Sequence, residues 1–190
     1  VIKHFVDSLA ISNVYNMIPV KNVIDIGTGA GFPGMVLKIF YPDIQFTLLD
    51  SLNKRVGFLK EVANELSLNK IEAVHGRAED FGKSEDYREK YDIACARAVA
   101  NLSSLIELCI PFVKPGGYFI ALKGSEIEEE LKATFPDARV LRLDADSTSS
   151  RDSFSSYLDD FANGKYDIML GTQMVAKGLD FKDVTVVGVL

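Results

Sequence analysis

The chain has no tryptophan and two cysteines, and no apolar run approaches the roughly 18 residues of a membrane span. No signal segment opens it either, so neither a spanning helix nor a secretory leader is expected. Cys95 and Cys109 stand in apolar surroundings without metal-ligand spacing. They read as free buried thiols of a protein in the reducing cytosol, and no metal site is expected. The word Gly-x-x-x-x-Gly-Lys-Ser/Thr occurs nowhere, which argues against an ATPase or helicase motor. The first residue is Val1 rather than Met, which reads as a trimmed start. What is present is an ordinary globular composition, 47% hydrophobic and 25% charged over 190 residues, enough for one domain with a sizeable core or two small ones.

Charge is divided unevenly. Residues 1–124 carry 14 Lys and Arg against 14 Asp and Glu, whereas residues 125–190 carry 7 against 13, so the net charge of −6 lies in the second segment. Such asymmetry points to segments of different history. The secondary-structure pattern nonetheless alternates throughout. Apolar spacing predicts a helix over 3–18, a strand running into glycines 27–34, a helix over 35–40, a strand over 44–49 and a helix over 53–68. Strands at 71–75 and 91–96, a helix over 102–113, a Pro115-Gly116-Gly117 turn and a strand over 118–122 follow. Beyond Gly124 the reading is helix 126–135, strand 140–143, loop 144–150, helix 152–162, and strands 166–170 and 184–190. Strand and helix in alternation argue a doubly wound, Rossmann-like α/β fold. The expectation is a mostly parallel sheet between two helical layers, a three-layer sandwich in a single domain with one extended sheet.

The stretch Val23-Ile24-Asp25-Ile26-Gly27-Thr28-Gly29-Ala30-Gly31-Phe32-Pro33-Gly34 is the strand–loop–helix unit that opens a cofactor site in such folds. Gly29-x-Gly31-x-x-Gly34, with Asp50 ending the next strand, also fits the dinucleotide pattern, so a nicotinamide enzyme stays among the alternatives. Asp25 argues against it. A carboxylate inside a buried strand is costly to desolvate without a partner, and a pyrophosphate at the loop would repel it. S-adenosylmethionine carries no phosphate and brings an ammonium and a sulfonium, which suit an acid at the root of the loop. Asp50 is placed to accept both ribose hydroxyls, and Arg77-Ala78-Glu79-Asp80 is where an adenine-edge contact falls. A ligand-free α/β domain with a glycine turn is the plainer alternative.

Further words run in order along residues 3 to 124: His4-Phe5-Val6-Asp7-Ser8-Leu9, the glycine stretch from Asp25 to Gly34, Leu48-Leu49-Asp50-Ser51-Leu52-Asn53-Lys54-Arg55, Arg77-Ala78-Glu79, Ala96-Arg97-Ala98 and Ala121-Leu122-Lys123-Gly124. With them the chain resembles the bacterial small-subunit ribosomal RNA guanine-N7 methyltransferases, once called glucose-inhibited division protein B. The resemblance implies that Asp25, Gly27, Thr28, Gly29, Ala30, Gly31, Asp50, Ser51, Ala78 and Glu79 hold S-adenosylmethionine or S-adenosylhomocysteine. It implies that Lys54, Arg55, Arg77, Arg97 and Lys123 face RNA or the target guanine. Arg97 stands out because it ends an apolar strand at the rim where such folds bind ligands; His4 and His75 read as structural. Guanine N7 has a lone pair and no proton to lose, so no catalytic base is assigned. The Asn/Asp-Pro-Pro-aromatic word of exocyclic-amine methylation is missing, and no proline precedes Cys95 to suggest a C5-methylating nucleophile.

Two departures go with this resemblance: the family's helices before the His4 word are missing, and its closing antiparallel hairpin does not follow Gly124. Residues 125–190 instead resemble the second motor lobe of the primosomal replication-restart helicase. The words are Ile127-Glu128-Glu129-Glu130-Leu131, the run from Phe135 to Asp146, the run from Gly171 to Phe181, and Val184-Thr185-Val186-Val187-Gly188-Val189-Leu190. The sequence therefore reads as an engineered or recombined chimera, residues 1–124 from a methyltransferase and 125–190 from a helicase lobe completing the same sheet. Donor binding is expected with catalysis weak or absent, RNA docking weakened by the acidic tail, and a monomeric state. A working guanine-N7 methyltransferase and a purely structural chimera are the alternatives.

Overall fold

The computed structural model describes residues 2–9, 11–14, 17–97, 101–122, 127–143, 160, 163, 165–171 and 186–189. Helices α1 (Ile2–Leu9) and α2 (Ile11–Val14) lead into strand β1 (Asn22–Ile26). Then come α3 (Gly34–Phe40), β2 (Gln45–Asp50), α4 (Asn53–Glu65), β3 (Ile71–His75), α5 (Ala78–Phe81) and β4 (Tyr91–Arg97). After them follow α6 (Leu102–Cys109), a 3-10 turn (Ile110–Phe112), β5 (Val113–Leu122), α7 (Ile127–Thr134), β6 (Val140–Leu143), β7 (Ile168–Gly171) and β8 (Val186–Val189).

Six parallel strands form the main sheet in the order β3-β2-β1-β4-β5-β8. The chain winds outward from β1 through β2 to β3, then returns to lay β4 on the other side of β1. That reversal opens a crevice at the carboxyl ends of β1 and β4, where open α/β sheets bind ligands.

Strand alternation divides the core between two faces. Ile24, Ile26, Ala94, Ala96 and Phe119 pack with Leu105 of α6 and Ile127 and Leu131 of α7. Val23, Phe46, Ile93, Cys95 and Ile120 pack with Ile11 of α2 and Leu37 of α3. Leu48 joins Met35 of α3 and Leu59 of α4 on that second face. With both faces covered, the strands carry near-continuous apolar runs, as buried parallel strands must. Asp25 lies on the second face, in register with Cys95 of β4.

Sequence and structure differ at several elements. The helix expected over 3–18 is the pair α1 and α2. The helix over 102–113 gives way to a 3-10 turn at Pro111, whose ring cannot donate into an α-helix. Pro115-Gly116-Gly117 lies inside β5, where Gly116 takes φ +78° and a Cβ on Gly117 would sit 2.7 Å from the Asp92 carbonyl oxygen. The single extended sheet is reached by β8 but not by β6 and β7, which pair in parallel as a separate two-stranded sheet. β8 already occupies the outer edge of β5, so β6 and β7 have each other as partners. Ile168 still packs against the first core face. At the start of this small sheet Arg139 Nε and Nη2 donate to Asp167 at 2.9 and 2.8 Å, which holds that carboxyl well below its ordinary range. The expected loop 144–150 lies outside the described residues, as does the helix over 152–162 apart from Asp160.

At the end of the sheet away from the crevice, Asp92 ties β1 to β4. Its Oδ2 accepts from Lys21 N at 2.9 Å and Asn22 N at 2.8 Å, and its carboxylate pairs with Lys114. Burial pushes the carboxyl up, but the Lys114 ammonium and the two N–H groups outweigh it and leave the group below its ordinary 3.8. A depressed folded value stabilises above the unfolded one and is lost as pH falls through it. Asp92→Ala is expected to cost about 1–3 kcal/mol by urea unfolding near neutrality, because two part-buried N–H groups lose a charged acceptor. The gap from wild type should narrow as pH falls below the ordinary carboxyl value of 3.8, where the stability held by the depressed native carboxyl is lost; an unchanged gap would refute the assignment.

Candidate functional site

Three strand ends build the crevice. β1 runs into the glycine loop, which turns by placing Gly27, Gly29 and Gly31 at φ +66°, +63° and +94°. These left-handed values are cheap only for glycine. The loop is strapped to the neighbouring strand, since Gly27 N and Thr28 N both donate to Leu49 O, at 2.9 and 3.2 Å. Gly31 N then bonds Thr28 O at 3.0 Å and Met35 N bonds Gly31 O at 2.8 Å, which leads the chain into α3.

Asp25 is fully buried beneath this loop. Its Oδ2 accepts from Thr28 Oγ1 at 2.7 Å and from Gly34 N at 2.8 Å, whereas Oδ1 has no hydrogen-bond partner. Burial raises its carboxyl from 3.8 to about 6 against the pull of those two bonds, and the Arg97 charge opposes the rise further. Asp25 is thus both clamp and reserve: one oxygen fastens the loop, and the other accepts no hydrogen bond, with the Cys95 thiol lying beside the carboxyl.

Asp50 closes the other side. Its Oδ2 accepts from Gly29 N at 2.9 Å and its Oδ1 from Leu52 N at 2.9 Å, while Arg55 Nη1 stands 3.4 Å from Oδ2. The expected ribose acceptor therefore already fixes the loop. Oδ1 keeps lone-pair capacity beyond its one bond, whereas Oδ2 accepts two.

The structure brings Asp25, Gly27, Thr28, Gly29, Gly31 and Asp50 into one hydrogen-bonded unit, with Ala30 exposed on the loop between Gly29 and Gly31. Ser51 lies beside it, exposed, its carbonyl 3.1 Å from His75 Nε2. Ala78 and Glu79 begin α5 past the end of β3, with Ala78 against the core and Glu79 exposed. Lys54, Arg55 and Arg77 are exposed around the β2 and β3 ends, Arg97 is half-buried at the end of β4, and Lys123 lies outside the described residues. Sequence reasoning passed over Leu52, which is 52% exposed one turn from Asp50 and offers an apolar surface at the lip. An apolar residue two places past a strand-ending acid was the available signal. His4, read as structural, has its Nδ1 3.5 Å from Arg97 Nη1. The thiols match the inert reading: burial pushes Cys95 and Cys109 well above the ordinary range, and the Asp25 charge adds to it.

Against known proteins, residues 1–152 match the family described as rRNA small subunit methyltransferase G, and residues 117–190 match the helicase conserved C-terminal domain. The two matches overlap over 117–152, so the methyltransferase likeness runs past Gly124 rather than stopping there. The ribosomal RNA small subunit methyltransferase G of Alkaliphilus metalliredigens is 55% identical over 131 residues, covering 69% of this chain and 55% of that protein. The protein of the same name from Alkaliphilus oremlandii is 58% identical over 137 residues, covering 72% of this chain and 56% of that protein. The chain thus spans little more than half the length of these relatives. Among solved structures, PKMT2 from Rickettsia typhi in complex with AdoHcy covers 60% of this chain and 23% of that chain, at 18% identity and a TM-score of 0.48.

Proposed function

The chain belongs to the rRNA small subunit methyltransferase G family, and from that premise we propose that it binds S-adenosylmethionine at the glycine loop and directs its methyl group to guanine N7 in RNA. The observation that carries the reading is the unpartnered Oδ1 of buried Asp25. A buried carboxylate oxygen without a hydrogen bond favours a cationic ligand and disfavours a phosphate. Gly29 supports the fit, because a Cβ there would meet only Gly27 O, at 3.9 Å, which leaves the loop face open.

When bound, S-adenosylmethionine supplies an activated methyl on a sulfonium. The residues of this chain hold and align it. Asp25, from beneath the loop, offers its negative charge to the positive charge of the donor, Asp50 the remaining lone pair of Oδ1 to a ribose hydroxyl, and Leu52 with Ala78 apolar surface to the adenine. Neither carboxylate serves as a base, since Asp25 is sealed below the loop and Asp50 is engaged by two backbone N–H groups. Methylation of N7 needs none.

Isothermal titration with S-adenosylhomocysteine tests the site. Wild type is expected to bind, and Asp50→Ala to lose about a hundredfold in affinity, because both the ribose acceptor and the anchor of Gly29 go. A folded wild-type chain that takes neither S-adenosylhomocysteine nor S-adenosylmethionine would overturn the proposal, and binding of NADH instead would revive the dinucleotide reading.

A second reading keeps donor binding but not catalysis: a chimera whose helicase-like segment displaces the closing strands. The helicase match over 117–190 and the separate β6–β7 sheet favour it. Donor binding without methyl transfer to small-subunit ribosomal RNA would select this second reading.

A further inference from the structure

The second oxygen of Asp25 has a neighbour that carries a proton. Among the described residues, Ser12 Oγ and Asp25 Oδ1 are buried side-chain polar atoms without a hydrogen bond, and of the two only Asp25 can carry charge. The donors already at Asp25, Thr28 Oγ1 and Gly34 N, are both spent on Oδ2. β1 sets Asp25 between Leu48 of β2 and Cys95 of β4. Leu48 has no proton to share, and Cys95 has one.

Cys95 is fully buried on the same face of the sheet as Asp25. Its Sγ donates to Ile24 O at 3.5 Å, and rotation about one side-chain bond carries that proton toward the carboxyl beside it. Burial and the Asp25 charge together push the thiol well above its ordinary range, so the proton stays on sulfur and is offered only as a hydrogen bond. Two other charges are felt at Asp25: Arg97 at the end of β4 favours the carboxylate, and Asp50 at the end of β2 opposes it. Cys109 of α6, also held well above its ordinary range, stays a neutral thiol. Arg97 and Asp50 act through charge alone, which leaves Cys95 as the register neighbour able to donate to Oδ1. The distinction matters under the loop. A carboxylate oxygen without a donor in an apolar interior takes up a proton of its own, whereas a donor turned toward it favours the ionised form. A neutral Asp25 would offer nothing to an ammonium or a sulfonium.

We propose that Cys95 is a positioning residue for the positive charge of the methyl donor: its thiol turns from Ile24 O to Asp25 Oδ1 and, by donating there, keeps Asp25 a carboxylate beneath the loop. A thiol is a weak donor, so this bond supports the charge without cancelling it. Cys95 touches neither the donor nor RNA and acts through Asp25. This inference rests on the methyl-donor reading of the loop.

The test uses the full chain as wild type, Cys95→Ala and Cys95→Ser. Carboxyl carbon NMR first follows the titration of Asp25 in the ligand-free proteins, and calorimetry then follows S-adenosylhomocysteine, which keeps the ammonium, from about pH 5 to about pH 8. The Asp25 carboxyl of wild type is expected to titrate at about 6. Cys95→Ala, which has no proton to give, should titrate about one unit higher, a tenfold gain in proton affinity. Cys95→Ser keeps a donor and should titrate with wild type or below it. Affinity for S-adenosylhomocysteine should fall as pH drops through the Asp25 value of each protein, so the loss begins about one unit higher in Cys95→Ala and is restored by serine. A thiol that only fills space would lower the melting temperature on replacement and leave the Asp25 titration unmoved, and that result overturns the proposal. So does an Asp25 titration that moves without the affinity profile following it. Failure of wild type to bind S-adenosylhomocysteine at any pH overturns the donor reading of the loop instead, while the ligand-free titration still decides the pairing of Cys95 with Asp25.

Discussion

Replacing Gly34 by alanine is expected to lower the melting temperature by about 10 °C or more and to abolish binding of S-adenosylhomocysteine. The reason is steric, not conformational. A Cβ at residue 34 would run into Leu48 Cδ2 and lie 2.8 Å from both the Cβ and the Oδ2 of Asp25. β1 and β2 have no room to retreat, since Asp25 pairs with Leu48 on one side and Cys95 on the other. Overpacking of this kind costs about 1–3 kcal/mol. Displacing Gly34 N also removes one of the two bonds that make the buried Asp25 charge tolerable, at a further cost of about 1–3 kcal/mol. Gly29→Ala is the companion measurement. There the cost is about 1–2 kcal/mol of backbone strain, from φ +63°, while the methyl enters open space. That variant should stay folded in a thermal scan yet bind the donor poorly in calorimetry. A Gly34→Ala protein that melts with wild type would mean that α3 can pivot away from β1, and the loop would lose its claim to rigidity.

How much of this was legible follows from range along the chain. The unit from Asp25 to Gly34 could be read because its determinants are local: a strand, positive-φ glycines and a helix within a dozen residues. Asp50 was legible as a strand-ending acid, and the parallel sheet between two helical layers followed from alternation. Contacts that depend on which strands lie side by side were not legible. Nothing near Asp92 in the sequence announces that Lys21 and Asn22 donate to it across about 70 residues. Lys38 reads as a solvated helix charge, yet it is buried with its Nζ donating to Pro42 O and Ile44 O at 2.7 and 2.6 Å. The separation of β6 and β7 from the main sheet goes with the pairing of β8, from far along the chain, on the β5 edge. Nor does the sequence announce the contact of His4 with Arg97, 93 residues away. Asp25 shows both sides: its presence in a buried strand was visible, but not that one oxygen clamps Thr28 and Gly34 while the other stays unpaired.

That division makes Asp25→Asn the most informative single change, because stability and binding should move in opposite directions. Burial raises the Asp25 carboxyl from 3.8 unfolded to about 6 folded. An acid whose folded value is raised binds its proton more tightly in the native state, so its ionisation costs stability as pH rises from about 4 to about 6, and the cost is complete above. A rise of about two units corresponds to about 3 kcal/mol. Asparagine has no charge to desolvate, and its carbonyl oxygen can still accept from Thr28 Oγ1 and Gly34 N. The variant is therefore expected to be more stable than wild type above about pH 6 by up to about 3 kcal/mol, with the difference closing below about pH 4. Chemical denaturation across that range reads it directly. Donor binding should fall by about a hundredfold or more, because the oxygen left unpaired for a cation becomes an amide. An Asp25→Asn chain that is less stable at neutral pH would mean that the clamp needs the negative charge itself, in the way a charge-assisted bond is stronger than a neutral one. One that gains stability and keeps its affinity would mean that the unpaired oxygen serves the loop and not the ligand. Gain of stability with loss of binding would identify Asp25 as a buried charge kept for the cation it receives, at a cost to the fold that holds it.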